Sequence, residues 1–300
     1  MFTKICNFQQ VKSLTVIQLT TSFQNTAEYI SGPAAIQKNL ISVKETSDAG
    51  DVNQLHVINT SSSFVFFMDG DILAGAKQNR VLNTSVYLHP QSQCALPVSC
   101  VEQGRWHHKS KAFSYTDYSA PSQMRAKKAM NVRENLMHGE RFDANQGEVW
   151  SDVRKYSASM GVNSPTSNLS DVFDNKEKDI DSFLAGFQVD ANANGLAIFI
   201  GKKLLNIDVF NRNDIFSEYF PKLIRGAAMD AFNLKTEQNI EKAEASYKTL
   251  EFLDKFDELE FQSHQGVAAG NEKRFETKEL TGFELSYLNT PIHLTALSLS

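Results

Sequence analysis

The feature that most constrains this chain is a double change of hydrophobic period along its length. Across the first hundred residues the apolar side chains come in short or alternating runs: Leu14–Leu19, Leu40–Val43, Leu55–Ile58, Phe64–Met68, Val81–Leu88 and Ala95–Val98. Runs of that length and period predict strands, and Ser31-Gly32-Pro33 and Asp69-Gly70-Asp71 punctuate them. The period then becomes helical. Val149, Val153, Tyr156 and Met160 recur at steps of three and four, as do Leu169, Phe173, Ile180, Phe183 and Leu184, with Ser167 or Ser170 as candidate N-caps. A further helix is predicted over Ser122–Met137.

The strand pattern returns after the helical block. Gly195–Ile200 and Leu204–Phe210 flank Gly201-Lys202-Lys203 as a hairpin. Asp214 is placed to cap a helix with the stripe Phe216, Phe220, Leu223, Ala227 and Ala231, in which Pro221 should introduce a kink or a split. Glu241–Phe256 reads as a charge-laced helix, and Phe283–Leu288 with Ile292–Leu297 as closing strands. Strands here do not alternate regularly with helices, which disfavours a doubly wound parallel sheet. The expectation is an α+β fold, with a mainly antiparallel sheet or β-sandwich drawn from both chain ends and a helical section inserted in the middle. Residues 1–300 should form one unit, with a β-rich part over 1–112 carrying the site, a helical section over 120–187, and a hairpin, helices and closing strands over 195–300.

Composition bears on partners. A net charge of −5 argues against a nucleic-acid surface spread over the molecule. No apolar window reaches the ~18 residues of a membrane helix, and the N-terminus has no apolar core of signal-peptide length. Cys6, Cys94 and Cys100 form neither a disulfide framework nor a zinc pair. The expectation is a cytoplasmic protein with no nucleic-acid or membrane partner. His107 and His108 are adjacent and diverge, while the other histidines are isolated, so no metal centre is expected. A Walker loop, a Gly-rich dinucleotide fingerprint and a nucleophile elbow are all missing, and no cofactor is expected.

Two polar segments stand out against the apolar β region. Gly75-Ala76-Lys77-Gln78-Asn79-Arg80-Val81-Leu82-Asn83 places four consecutive polar side chains where a buried strand would have few. In extended geometry Lys77 and Asn79 would point one way, Gln78 and Arg80 the other. Cations beside carboxamides suit a phosphate plus a ribose or base edge. The second segment, Ser99-Cys100-Val101-Glu102-Gln103-Gly104-Arg105-Trp106, adds a carboxylate, a guanidinium and an indole. Glu102 is the candidate general base or ribose-hydroxyl acceptor, Arg105 suits an anion, and Trp106 could stack on a planar ring. The plain alternative makes Gly75–Asn83 a solvated edge or turn, Trp106 core packing, Glu102–Arg105 a structural ion pair and Cys100 a small buried hydrophobe. Residues 69–111 carry five cations against three anions in an acidic chain, which fits a small anionic ligand better than a polymer.

At these two segments the chain resembles a family whose domain is named for its association with ADP-ribosylglycohydrolases and rhodanese-phosphatases. The resemblance rests on DGDILAGAKQNRVLN (69–83), LPVSCVEQGRW (96–106), Gln146…Trp150, SPTSNLSD (164–171), GLAIFIGKKLLNIDVF (195–210), Met229-Asp230-Ala231, and Gly266…Arg274…Pro291-Ile292-His293-Leu294. The chain departs from the family pattern at Asp71-Ile72-Leu73, where relatives carry a more acidic run; a cation site there would have only Asp69 and Asp71. The resemblance implies a function tied to ADP-ribose, NAD-derived nucleotides or a related phosphorylated ligand, with a small nucleotide-derived ligand or an ADP-ribosylated substrate as partner. Lys77, Arg80 and Arg105 would then hold phosphates, Gln78, Asn79 and Gln103 would read ribose or base, and Asn83 would also contact the ligand. Glu102 would orient a hydroxyl or act as base, and Trp106 would form a wall. Reader and enzyme both stay open, as does a metal-assisted hydrolase using Asp69, Asp71, Glu102 and a histidine. The alternative of another class is an interaction or scaffold protein whose polar strands form an internal network.

Overall fold

In a computed structural model, which describes residues 1–47, 50–233 and 238–299, the chain is an α+β protein with large antiparallel sheets from both ends and helices in the middle. The largest sheet has eight strands, in the order Thr3–Val11, Leu14–Thr21, Gly195–Ile200, Lys203–Phe210, Thr290–Ser298, Leu280–Tyr287, Asn271–Glu276 and Gln262–Gln265. The first hairpin therefore pairs with the C-terminal half of the chain, Leu19 opposite Gly195 and Leu14 opposite Ile200. Residues 29–119 build a six-stranded sheet, ordered Phe113–Ser119, Asp71–Gly75, Arg80–Leu82, Ser92–Cys100, Gln54–Asn59 and Ile41–Glu45. They also build a three-stranded one from Tyr29–Ser31, Phe64–Phe67 and Val86–Leu88.

Several local expectations hold and others move. The helix Ser122–Met137 forms as read. The stripe of Val149, Val153, Tyr156 and Met160 is buried in the main core on the helix Gln146–Ser159. Ser31-Gly32-Pro33 is not simple punctuation: Ser31 caps the helix Gly32–Gln37 by accepting from the Ala34 amide at 3.2 Å, and Pro33 sits in its first turn, where no donor is needed. Asn168, rather than Ser167 or Ser170, caps Leu169–Asn175, because its side chain takes the Ser170 amide at 3.1 Å. Pro221 lies inside one continuous helix, Asn213–Asn233, which begins a residue before Asp214.

The run Val81–Leu88 is two strands in two sheets. The break falls at Asn83-Thr84-Ser85, three fully buried polar residues that need partners away from the ladder. Asn83 donates to the Phe142 carbonyl at 3.1 Å, Thr84 to Glu272 at 2.7 Å, and Ser85 meets His293 Nδ1 at 3.0 Å. Satisfying them turns the chain from one sheet into the next.

A buried guanidinium ties these sheets together. Arg125, on the helix Ser122–Met137, donates from Nε and Nη2 to Asp69 at 2.9 and 3.0 Å, and from Nη1 and Nη2 to Asp208 at 3.1 and 2.6 Å. A further Nη2 bond reaches Thr295 at 3.1 Å. Asp69 belongs to the turn before the strand Asp71–Gly75 of the six-stranded sheet and Asp208 to the eight-stranded one, so one side chain joins helix, turn and sheet. Burial alone would raise the Asp208 pKa, but Arg125 and His293 hold it below the usual carboxylate range. Asp71 is likewise engaged, ion-paired to Lys222 and accepting from Tyr219 at 3.2 Å. Nearby, Lys128 is buried with its ammonium on the Leu82 carbonyl.

Two outcomes follow from this core. Arg125→Ala leaves two carboxylates buried without their cation and should cost about 3–5 kcal/mol in denaturant unfolding. Burial pushes the Lys128 pKa down from 10.5 to about 7, so between those values the unfolded chain binds the extra proton and stability rises with pH. Lys128→Met should flatten that rise when unfolding free energy is measured at a series of alkaline pH values.

Candidate functional site

The first polar segment is not extended throughout. After Asp71–Gly75 the backbone turns at Gly75 (φ 126°) and Ala76 (φ 38°) before Arg80–Leu82 resumes the sheet. A Cβ at Gly75 would stand 2.6 Å from Ser110 Oγ and 3.0 Å from the Ala112 carbonyl, so the close approach of the 109–113 loop requires glycine. Ala76 carries a left-handed φ without that freedom, and its amide bonds Ser110 Oγ at 2.9 Å. The expected alternation of side chains fails at this turn. Lys77 shares a neighbour with Arg80 instead of Asn79, because the ring of Trp106 lies 5.3 Å from the Lys77 ammonium and 5.6 Å from the Arg80 guanidinium.

The two segments do meet. Cys100 pairs with Arg80 across the antiparallel ladder, and the chain beyond Cys100 folds back over the turn. Here Glu102 and Arg105 form a buried, two-pronged ion pair, with Nε to Oε1 at 2.9 Å and Nη2 to Oε2 at 2.6 Å. Glu102 also accepts from the Asn79 amide at 3.2 Å and from Thr166 Oγ1 at 3.0 Å. Four donors engage both oxygens of a carboxylate that accepts about four. Burial would raise the Glu102 pKa, yet the bonds from Arg105, Asn79 and Thr166 lower it, so the group is a held anion. Arg105 Nη1 donates to the carbonyls of Ala76 at 2.5 Å and His107 at 3.0 Å. Asn79 closes the ring, donating to Asn168 Oδ1 at 3.2 Å and Ser170 Oγ at 3.0 Å and accepting from the Gly75 amide at 3.0 Å.

A second set surrounds Arg80, which is fully buried. It donates to Gln78 Oε1 at 3.0 Å, to Cys100 Sγ at 2.7 Å and to the Asp51 carbonyl at 3.3 Å, and lies 3.6 Å from Glu45. Its Nε has no hydrogen-bond partner among the described residues. Burial pushes the Cys100 thiol up to about 11, so it is a neutral acceptor here rather than a nucleophile. Glu45 reaches from the far edge of the sheet to the Lys77 amide at 3.1 Å. Outside this set Trp106 is 45% exposed. Gln103 is also exposed and accepts from Arg154 at 2.7 Å, while its carbonyl takes a long 3.4 Å bond from Gln78. Asn83 sits deeper, accepting from Ser99 at 2.8 Å and bonded to Phe142, away from Trp106 in the hydrogen-bond pattern.

On the other side of Asn79 opens a cleft of about 470 Å³, lined by Gly75, Asn79, Lys109, Tyr118, Asn168 and Ser170, with Asp171 and Asp174 at its wall. Burial and the neighbouring Asp171, Glu177 and Asp117 raise the Asp174 pKa, which marks this side as acidic. The paired Glu102–Arg105 network connects through Asn79 to this cleft, while Arg80 faces the Trp106 side. Of the metal-hydrolase candidates, Asp69 and Asp71 are bonded to Arg125 and Lys222 instead of Glu102. Asp69, Asp208 and His293 do converge within 4.8 Å, and Arg125 already supplies positive charge to both carboxylates.

A family description, the ARG and Rhodanese-Phosphatase-superfamily-associated Protein domain (ARPP-1), matches residues 3–297. The chain belongs to this family. No curated protein and no solved structure matches it. The ARPP-1 match spans the first hairpin through the closing strand, so the polar turn, the Glu102 loop and the 164–171 loop all lie within it. Sequence reasoning passed over Glu45, Asp51 and Thr166 as members of the site. Thr166 was signalled by the hydroxyl-rich run SPTSNLSD; Glu45 and Asp51 gave no local signal, since only sheet order brings them near Arg80.

Glu102→Ala would leave Arg105 buried without its anion. The expected result is a loss of about 3–5 kcal/mol in thermal or chemical unfolding. Trp106→Ala, at an exposed position, should leave the melting temperature nearly unchanged.

Proposed function

We propose that this ARPP-1 protein binds a phosphorylated, nucleotide-derived ligand of the ADP-ribose or NAD class on the Trp106 face. The observation that carries the reading is an aromatic ring, nearly half exposed, with two buried cations within 5.6 Å of its centroid. An indole offers a stacking surface for a base, and Lys77 and Arg80 place positive charge where a diphosphate would follow. Gln103 and the Arg154 bonded to it extend the same surface with an amide and a third cation. The family name associates these domains with ADP-ribosylglycohydrolases and rhodanese-phosphatases, which supports a ligand of this class.

In this reading Glu102 and Arg105 are positioning residues. Their charges are committed to each other, so they fix the turn that presents Lys77 and Arg80 and do not contact phosphate or accept a proton. Asn79 and Gln78 act in the same way, through Glu102 and Arg80. The second reading, a scaffold without a ligand, is favoured by one observation, the closure of the Glu102–Arg105 ring. It applies to those residues, and leaves unexplained why Trp106 is exposed beside two cations.

Calorimetric titration of ADP-ribose and of NAD into the wild type and Trp106→Ala tests the proposal. Heat is expected with wild type, and binding at least about fivefold weaker in the variant, since stacking on an aromatic is worth ~1–3 kcal/mol per base. No heat with either ligand, or undiminished binding by Trp106→Ala, would overturn it. Chromatography of the incubated mixtures then separates a reader from an enzyme: a reader returns the ligand intact.

A further inference from the structure

Away from these residues, a groove of about 790 Å³ runs between the helix Lys242–Asp254 and the ends of strands in the eight-stranded sheet. Leu204, Phe252, Leu259 and Leu280 give it an apolar lining. Lysines surround this lining: Lys202 and Lys203 from the hairpin turn, Lys248 and Lys255 from the helix, and Lys278 from the turn before Leu280–Tyr287. Two of the five are engaged locally, Lys248 with Glu244 at 3.0 Å and Lys255 with Glu251 at 2.9 Å. Among the described residues, Lys202, Lys203 and Lys278 take part in no ion pair. Tyr247, also on the rim, is 64% exposed.

Such a concentration of cations is unusual for a chain of net charge −5. Lysines clustered around apolar side chains are matched by a partner whose acidic residues are interspersed with apolar ones, so that carboxylates meet the rim while a side chain enters the groove. Glu251 and Glu279 interrupt the rim. They penalise a uniformly charged polyanion such as nucleic acid, which would place a phosphate against every position. The apolar surface is concave, so it does not project into a bilayer as a membrane-inserting face must. We propose that this groove is a docking surface for an acidic peptide segment carrying interspersed leucine- or phenylalanine-like side chains.

The test is fluorescence anisotropy of a short labelled peptide of interspersed glutamate and leucine, with a lysine–leucine peptide of the same pattern as its counterpart. The acidic peptide should bind, and the triple variant Lys202→Glu, Lys203→Glu, Lys278→Glu should weaken binding at least about tenfold, as should raising the salt concentration. Tyr247→Ala, which removes an exposed ring and its bond to Glu251, should weaken it several-fold and serves if the triple variant does not fold. Four results would overturn the proposal. These are no binding, equal affinity for the lysine peptide, tighter binding to phosphatidylserine vesicles or single-stranded polynucleotide, and sedimentation showing a second copy of the chain in the groove, lost in the triple variant.

Discussion

The structure depends on Arg125. Its guanidinium is fully buried and bonds two carboxylates at once, Asp69 from the turn that leads into the strand Asp71–Gly75 of the six-stranded sheet and Asp208 from the middle of the eight-stranded one. A buried charge is tolerated only when it is paired and hydrogen-bonded, and each of these three groups would be costly alone. The pairing therefore couples the placement of a helix to that of two sheets. His293 and Ser85 extend it: Ser85 accepts from the Asp69 amide at 2.9 Å and meets His293, whose other nitrogen lies 3.4 Å from Asp208. The polar break at Asn83-Thr84-Ser85 and the polar interior are thus the same feature, seen once along the chain and once across it.

The second ion pair repeats this logic closer to the surface. Glu102 and Arg105 consume each other's charge and the polar atoms of Asn79 and Thr166, and the resulting ring fixes a turn whose backbone is left-handed at Gly75 and Ala76. Such strain persists where surrounding bonds over-determine it. The consequence for chemistry is a division of labour within one polar motif. The residues that look most reactive in one dimension, Glu102 and Cys100, are respectively a fully bonded anion and a neutral thiol. The groups with access to solvent are Trp106 and Gln103, and the buried cations Lys77 and Arg80 lie against the indole.

How much of this was legible in the sequence differs by scale. The helix Ser122–Met137, the hairpin around Gly201 and the stripe through Val149 and Val153 were readable because apolar periodicity is a local property that burial then satisfies. Thr3–Val11 was missed because its alternation is weak: Lys4, Asn7, Gln9 and Gln10 dilute an edge strand that is only half-buried. Val81–Leu88 looks like one strand in the sequence because its polar centre is explained only by partners such as Phe142, Glu272 and His293, which lie far along the chain. For the site, proximity of the two segments was foreseen, whereas the engagement of Glu102 by Thr166 and of Arg80 by Glu45 and Asp51 was not.

By itself, the sequence determined the kind of elements, their order, and the two places where polar residues crowd a strand-rich region. These are consequences of side-chain period and composition, which act over a few residues. Apart from the local Glu102–Arg105 pair, tertiary structure decided which charges cancel. Arg105 meets Glu102 three positions away, but whether Arg80 or Arg125 faces a ligand or a carboxylate depends on Glu45, Asp69 and Asp208, which lie 35 to 83 positions away. Coulombic pairing in a low-dielectric interior is set by distance in space, and distance along the chain carries little information about it.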